Sequence, residues 1–342
     1  MPDATHPMPR NLTADHYVDR HAFEAERKRV FWRTWQLVGN TQQLIKPGSY
    51  IATDIAGAGV IVVRDTEHTL RGFRNLCRHR GARLLERGEG QVRSIHCPYH
   101  QWVYGLDGAL RRAPHFGDDD AIDLDEWPLL PVSVCDWRGL VFAALAPQQS
   151  LAEQLGATVA EMAEEPMETS CLVETRRLRF AANWKIYTDN FVEGYHIPGF
   201  HPAFFKAIEF SQFRTEAEDG LVRMSAPTAG ELFYRGRWLW MWPNWTLSLY
   251  PGGFNTSRIN AVSESETELL YHFYFQDADD SARAKQLETV EKNMEVIRED
   301  FSICEEIHQN FVAGGYTPGP LSPLHERGVA YFQQRLRDAL RA

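Results

Sequence analysis

The sequence predicts an α+β fold in two domains: a small antiparallel β domain, then a larger one whose antiparallel sheet is covered by helices. Three observations support it. The chain has 342 residues, more than one hydrophobic core usually organises. From Gly48 to about Leu145 the texture is that of short β-rich runs separated by Gly, Asp and Pro. Near the end, the alternating run ELLYHFYF is followed by a long helical pattern from about Ser281 to Phe311.

Taken in order, residues 17–40 (YVDRHAFEAERKRVFWRTWQLVGN) read as a helix with an aromatic face. The runs YIATDIAGAGVIVVRD, LRGFRN, SIHCPYH and GLVFAAL then read as strands. A linker around Pro147 leads into a predicted helix, LAEQLGATVAEMAEE, and a strand, CLVETRRLRF. A helix beginning at Asn183 should end before Pro198 and Gly199. A second β region covers about 221–276, and the chain closes with the long helix and another from about Ser322. The expected division is an N-terminal helical segment over 1–40 that packs on the last domain, a β domain over 41–147, and an α+β domain over 148–342.

Composition narrows the function. Lys+Arg 36 against Asp+Glu 46 gives a net charge of -10, which disfavours a nucleic-acid or anionic-membrane surface. No apolar run is long enough to span a bilayer, and the polar, proline-containing start MPDATHPMPRNL lacks the apolar stretch of a signal peptide. Five cysteines, an odd number spread widely, do not form a secreted disulfide framework. A reducing cytoplasm is the expected setting, where cysteine beside histidine points to metal.

Such pairs occur in the β domain: Cys77-x-His79 and, further on, Cys97-x2-His100. Each pair should sit on a tight loop leaving a strand, with Gly81 and Pro98 supplying the turns. Thiolate and imidazole together suit zinc or an iron–sulfur cluster. Zinc sites usually space each pair by two residues or more and carry the histidines on a helix; neither holds here. A [2Fe-2S] cluster with two cysteines on one iron and two histidines on the other takes one ligand of each type from each loop, as this spacing allows. Structural zinc is the competing reading.

In the second half, Glu193 and His196 stand i,i+3 on the predicted helix, and His201 follows the break. Two histidines need a carboxylate to complete the facial triad of a mononuclear iron(II) site. The late helix KNMEVIREDFSICEEIHQNF offers several. Glu295, Glu299, Ser302 and Glu306 form a polar stripe, the expected solvated face, whereas Val296, Asp300, Ile303 and Ile307 form an apolar stripe interrupted only by Asp300. A carboxylate on a buried stripe is costly unless paired or bound to metal, so Asp300 is the candidate; a buried ion pair with arginine is its alternative.

CRHRGARLL and CPYHQWVYGLDGAL resemble the two cluster-binding loops of Rieske proteins in ring-hydroxylating and related oxygenases, through Arg80, Gly81, Pro98, Tyr99, Trp102 and Gly108. Gln101 departs from the family's usual glycine. Glu193-x2-His196-x4-His201 is similar to the iron motif of Rieske oxygenase alpha subunits, with Asp300 where their third ligand lies. The resemblance implies a helix-grip (START-like) catalytic domain and two cofactors: a Rieske [2Fe-2S] cluster on Cys77, His79, Cys97 and His100, and mononuclear Fe(II) on His196, His201 and Asp300. It also implies that Glu193 is not a ligand but bridges His196 to a cluster histidine of the neighbouring subunit, matching His100. A homotrimer and a separate NAD(P)H-dependent flavin/iron–sulfur reductase, or a ferredoxin, follow from the same likeness; no GxGxxG fingerprint stands in this chain. Glutamate at position 193 is more like the branch that oxidises choline, betaines and carnitine, so the expected reaction is O2-dependent hydroxylation or oxidative demethylation of a small substrate such as a quaternary amine. Aromatic-ring hydroxylation is the alternative, and an electron-transfer protein with a ligand-binding domain is a reading of another class.

Asn190, one helical turn before Glu193, is expected near the iron. His68, His96, His115, His272, His308 and His325 have no partner at ligand spacing, and Cys135, Cys171 and Cys304 read as small hydrophobes. Trp238, Trp240 and Trp242 should share a strand face; sheet packing or a subunit interface is the bland explanation, an aromatic pocket or cation cage the sharper one.

Overall fold

A computed structural model describes residues 9–118, 121–228, 234–277 and 279–341; the first eight residues, on which the signal-peptide expectation rests, lie outside them. The chain divides into two compact units, residues 31–151 and residues 1–30 with 152–342. No helix among the described residues is long and apolar enough to cross a membrane.

The N-terminal helix is shorter than its pattern suggests. Two short helices, α1 (Asp15–Val18) and α2 (Arg20–Glu26), run into one π-helical turn over Arg27–Phe31, and the chain then becomes a strand, β1 (Gln36–Asn40). Asp19 caps α2 by accepting from the His21 amide. The aromatic spacing that reads as one helix continues past the helix end. Gln36–Asn40 is instead fully buried and hydrogen-bonded to a partner strand, and at Gly39 a Cβ would fall 2.4 Å from the Ile51 side chain.

The 31–151 unit is all β. Its strands are β2 (Ser49–Ile55), β3 (Ala58–Arg64), β4 (Leu70–Arg74), β5 (Gly88–Gln91), β6 (Ile95–His96), β7 (Val103–Tyr104), β8 (Leu110–Arg112), β9 (Pro131–Trp137) and β10 (Leu140–Ala144). They form a seven-stranded sheet in the order β1-β10-β9-β4-β3-β2-β5 and a small sheet β6-β7-β8. Ile61, Val63, Phe73, Ile95, Trp102 and Tyr104 fill the core, and Cys77 and Cys97 belong to that same cluster. Both thiols are therefore planted in apolar packing.

In the other unit, the predicted linker helix is broken into α3 (Leu151–Leu155) and α4 (Thr158–Glu161) at Gly156, whose φ of +48° interrupts the helix. Strand β11 (Cys171–Phe180) has the bounds the sequence suggests. Then come α5 (Trp184–Phe191), α6 (Ile197–Phe200) and α7 (Pro202–Lys206). An antiparallel meander follows: β12 (Arg214–Glu218), β13 (Leu221–Ser225), β14 (Arg237–Met241), β15 (Trp245–Tyr250), β16 (Gly253–Ala261) and β17 (Thr267–Phe275), with β11 closing the sheet beside β17. The chain ends in α8 (Arg283–Ala313) and α9 (Arg327–Arg341).

Three features here position a site. Asn183 caps α5 by accepting from the Lys185 amide, but α5 stops at Phe191. Glu193 and His196 therefore lie beyond the helix, in a turn, and Pro198 stands in the first turn of α6 rather than after a helix end. On α8 the buried line is Asn293, Ile297, Asp300, Cys304, His308 and Phe311; Val296, Ile303 and Ile307 flank it, half-buried. Asp300 is on the inner face in either description. Finally, Lys185 and Glu26, both wholly buried, pair at 2.7 Å, and the Trp184 indole donates to the same carboxylate at 2.8 Å. That pair ties the N-terminal helices to α5; removing one partner would strand the other charge.

Candidate metal centres

The first centre is built from one turn made twice. In the loop after β4, the Gly81 amide donates to the Cys77 carbonyl at 2.9 Å; in the loop after β6, the Gln101 amide donates to the Cys97 carbonyl at 3.1 Å. Gly81 and Gln101 both sit in the left-handed region, at φ +72° and +59°. The departure at Gln101 thus falls where the backbone favours glycine, and the turn forms nonetheless. The turns bring His79 and His100 together with ring centroids 4.6 Å apart, and Trp102 stacks on His79 at 4.9 Å.

Tyr104, not singled out by the sequence pattern, approaches Cys77 Sγ at 3.3 Å through its hydroxyl and accepts from the Arg78 amide. Only its place two residues beyond Trp102 on a strand could have signalled it. Burial pushes the Cys77 thiol up, beyond what its hydrogen bonds offset, and burial, with His79 and Arg80 beside it, holds His100 below the ordinary histidine value. A metal would displace the thiol protons and meet neutral imidazoles.

These residues fit a [2Fe-2S] cluster: two buried thiols, two adjacent imidazoles and a buried His79 Nδ1 with no hydrogen-bond partner. They fit a single zinc ion poorly. Among the described residues, this set does not bring its ligand atoms within 4.8 Å of one another, whereas a second set does.

That second set is His196, His201 and Asp300. His201 Nε2 lies 2.9 Å from Asp300 Oδ1, and His196 Nε2 lies 3.8 Å from the same oxygen. Each imidazole is held from behind by a carboxylate: His196 Nδ1 by Glu193, and His201 Nδ1 by Glu299 at 2.6 Å. With each Nδ1 engaged by a carboxylate, the two Nε2 atoms are turned toward Asp300, where a metal could take the place of the proton that His201 Nε2 shares with Asp300. Burial opposes protonation of His201, but Asp300 and Glu299 outweigh it and raise its pKa; a bound cation would take the proton's place. The arrangement fits iron(II) held by two imidazoles and one carboxylate with open positions.

Glu299 keeps the solvated position that the helix pattern gives it, and it also has a second contact. It is half exposed, yet it reaches over the helix edge to His201. Sequence gave one cue, its adjacency to Asp300. Glu193 meets His196 without a shared helix: its carboxylate also accepts from the Tyr195 amide, so a local turn does what the helix was expected to do.

A cavity of about 90 Å³ opens beside these three residues, with Asn190 and Glu193 in its wall. Strand alternation puts Met224, Trp238, Ser248, Asn255 and Tyr271 on the sheet face that floors it, and α8 contributes Asn293, Val296 and Ile297. Phe204, Tyr234 and Trp238 form a corner, with ring centroids 5.3–5.8 Å apart and planes crossing at 68–82°. The tryptophan run therefore divides. Trp238 lines the cavity, Trp240 packs on Phe332 of α9, and Trp242 lies under the Arg335 guanidinium.

Residues 34–128 match the Rieske [2Fe-2S] domain family, and residues 167–227 and 211–342 match the ring hydroxylating alpha subunit (catalytic domain) family. The carnitine monooxygenase oxygenase subunit of Escherichia coli (strain K12) is 29% identical over 356 residues, covering 96% of this chain and 94% of that protein. The chloroplastic choline monooxygenase of Beta vulgaris is 26% identical over 349 residues, covering 95% and 76%. Among solved structures, the quaternary ammonium Rieske monooxygenase CntA in complex with L-carnitine superposes with a TM-score of 0.86 at 24% identity, over 97% of this chain and 96% of that one. Naphthalene 1,2-dioxygenase with indole bound gives 0.83 at 17%, over 97% and 92%. These two likenesses establish the fold.

Proposed function

Since the chain belongs to the family of ring-hydroxylating alpha subunits, whose catalytic domain binds mononuclear iron, and carries a Rieske [2Fe-2S] domain, we propose that it oxidises a small organic ammonium compound. It is the oxygenase component of a Rieske non-haem iron system, an oxidoreductase that uses O2. One observation carries the substrate reading: three aromatic faces meet at steep angles in the wall of the cavity that holds His196, His201 and Asp300. Three steeply crossed aromatic rings in one cavity wall are the kind of surface on which a quaternary ammonium group binds through cation–π contacts, without a counter-charge. The names of the relatives, carnitine and choline monooxygenases, point the same way.

In this reading Cys77, His79, Cys97 and His100 hold the cluster, and His196, His201 and Asp300 hold the iron. Together the two groups supply electron storage and O2 activation. The chain's own residues do the rest. Phe204, Tyr234 and Trp238 fix the cationic head, the apolar wall excludes water, and Glu193 and Glu299 orient the two imidazoles. Asn190, in the cavity wall, positions the substrate. One oxygen atom enters a C–H bond and the other leaves as water, with two electrons and two protons consumed; an N-methyl target then departs as formaldehyde.

The electrons come from a separate NAD(P)H-dependent reductase. The working assembly is a homotrimer in which Glu193 faces His100 of the next subunit. Five free cysteines accord with a reducing cytoplasm. The test is a screen of quaternary amines and aromatic acids with a surrogate reductase, following O2 uptake and formaldehyde. Amine-dependent formaldehyde is expected; ring-hydroxylated products without amine turnover would replace this reading with aromatic oxygenation.

A further inference from the structure

Beyond the aromatic corner, the cavity holds one buried polar atom without a partner. Asn255 is 1% exposed and lines the cavity, yet its Oδ1 has no hydrogen-bond partner. Its orientation is fixed by a chain of bonds. Asn293 Nδ2 donates to the Thr289 carbonyl at 2.9 Å, and a carbonyl can only accept. Asn293 Oδ1 must therefore face the other way, where it accepts from the Tyr234 hydroxyl at 2.6 Å and from Asn255 Nδ2 at 3.1 Å. That leaves Asn255 Oδ1 as a committed acceptor with nothing to accept. Tyr234 is also a wall of the aromatic corner, so the acceptor and the corner belong to one network.

A second observation concerns charge. Among the described residues lining the cavity there is no lysine or arginine. A carboxylate brought against Asn255 would lose its water, find no lysine or arginine among the described lining residues and face the lone pairs of Asn255 Oδ1. An O–H or N–H group would instead satisfy that oxygen.

We propose that Asn255 is a specificity-determining residue, and that the substrate is a short ammonium compound bearing a hydroxyl or N–H donor and no carboxylate. The proposal rests on the ammonium reading above and sharpens it. Head and tail of the ligand are recognised separately: the rings take the cation, and Asn255 takes the donor.

The test varies each end independently. Ligands with a trimethylammonium head, or its neutral tert-butyl counterpart, are combined with a 2-hydroxyethyl, propyl or carboxymethyl tail. Binding to the iron-loaded protein is measured by equilibrium dialysis, and the ammonium series is also run as substrates. The expected result is at least a tenfold preference for the hydroxyethyl tail over both others, whichever head is present. In Asn255→Val the preference over the propyl tail should collapse to parity while the preference for the charged head remains. A wild-type protein that binds the carboxymethyl tail as tightly as the hydroxyethyl tail overturns the proposal without any variant. Equal binding of charged and neutral heads, with the tail preference intact, would instead remove the ammonium reading and leave the role of Asn255 standing.

Discussion

The two metal centres are put together in opposite ways. The first draws its four candidate donors from two loops of one β unit, one after β4 of the seven-stranded sheet and one after β6 of the small sheet, each shaped by the same hydrogen-bonded turn after its cysteine. The second draws its candidate ligands from farther apart, two histidines from the segment after α5 and a carboxylate from α8, roughly a hundred residues later. Local backbone chemistry makes the first; only the packing of a long helix over a sheet makes the second. A centre of the first kind should lose its metal without disturbing the rest of its unit, whereas one of the second kind should be sensitive to groups that hold separate elements in place.

The sharpest test of that difference is Asp300→Ala. Turnover should fall to background and one iron per chain should be lost, while the visible spectrum of the cluster stays unchanged. Retained substrate oxidation would place the iron elsewhere. Its mirror image is Cys97→Ser, which should bleach the cluster and abolish reductase-driven turnover. The second centre should still take up iron(II), as measured by metal content after anaerobic loading. Loss of both metals from either variant would mean that the centres are not built independently.

Effects of intermediate size should come from the groups behind the ligands. Glu299→Gln weakens the hold on His201 Nδ1 and should lower iron affinity about 10- to 100-fold in a chelator competition, with the cluster unaffected. No comparable side-chain carboxylate is expected to matter in the first centre, where backbone turns do the holding.

A pH effect should distinguish the units as well. Burial pushes the Asp189 carboxyl up to about 7, against the hydrogen bonds from Tyr17 and Gln333. Its native pKa lies above its unfolded value, so between about pH 4 and 7 the native state holds a proton that the unfolded chain releases. Stability is therefore present at low pH and lost as pH rises through that window. Asp189→Asn should remove the loss and raise the melting temperature at pH 8 by a few degrees in calorimetry. The opposite sign, or no slope change, would show that Asp189 is already ionised. The smallest effect belongs to Gln101→Gly, which relieves a left-handed residue at about 1 kcal/mol. It should slow thermal loss of the cluster absorbance and leave the iron site as it was.

Legibility followed the same division. Cys77, His79, Cys97 and His100 could be grouped from spacing alone, because a ligand pair on a tight turn leaves its mark within a few residues. Asp300 could be chosen only by asking which carboxylate a helix would be forced to bury, and Glu299, beside it, was assigned to solvent because its position on the helix is exposed. Side-chain length carried it back to His201, which periodicity does not encode. Likewise, Glu193 was given the right neighbour by a helix that ends before reaching it.

By itself the sequence determined the α+β class and the Rieske domain, and it nominated the candidate ligands, since these depend on short-range turns and on alternation within single strands. Tertiary structure alone decided where the N-terminal helix gives way to a strand, which tryptophan faces the cavity, and that one amide oxygen is left waiting for a donor. Those outcomes depend on which elements pack against one another. Pattern along a chain records how each segment folds, not what a distant segment brings to its surface.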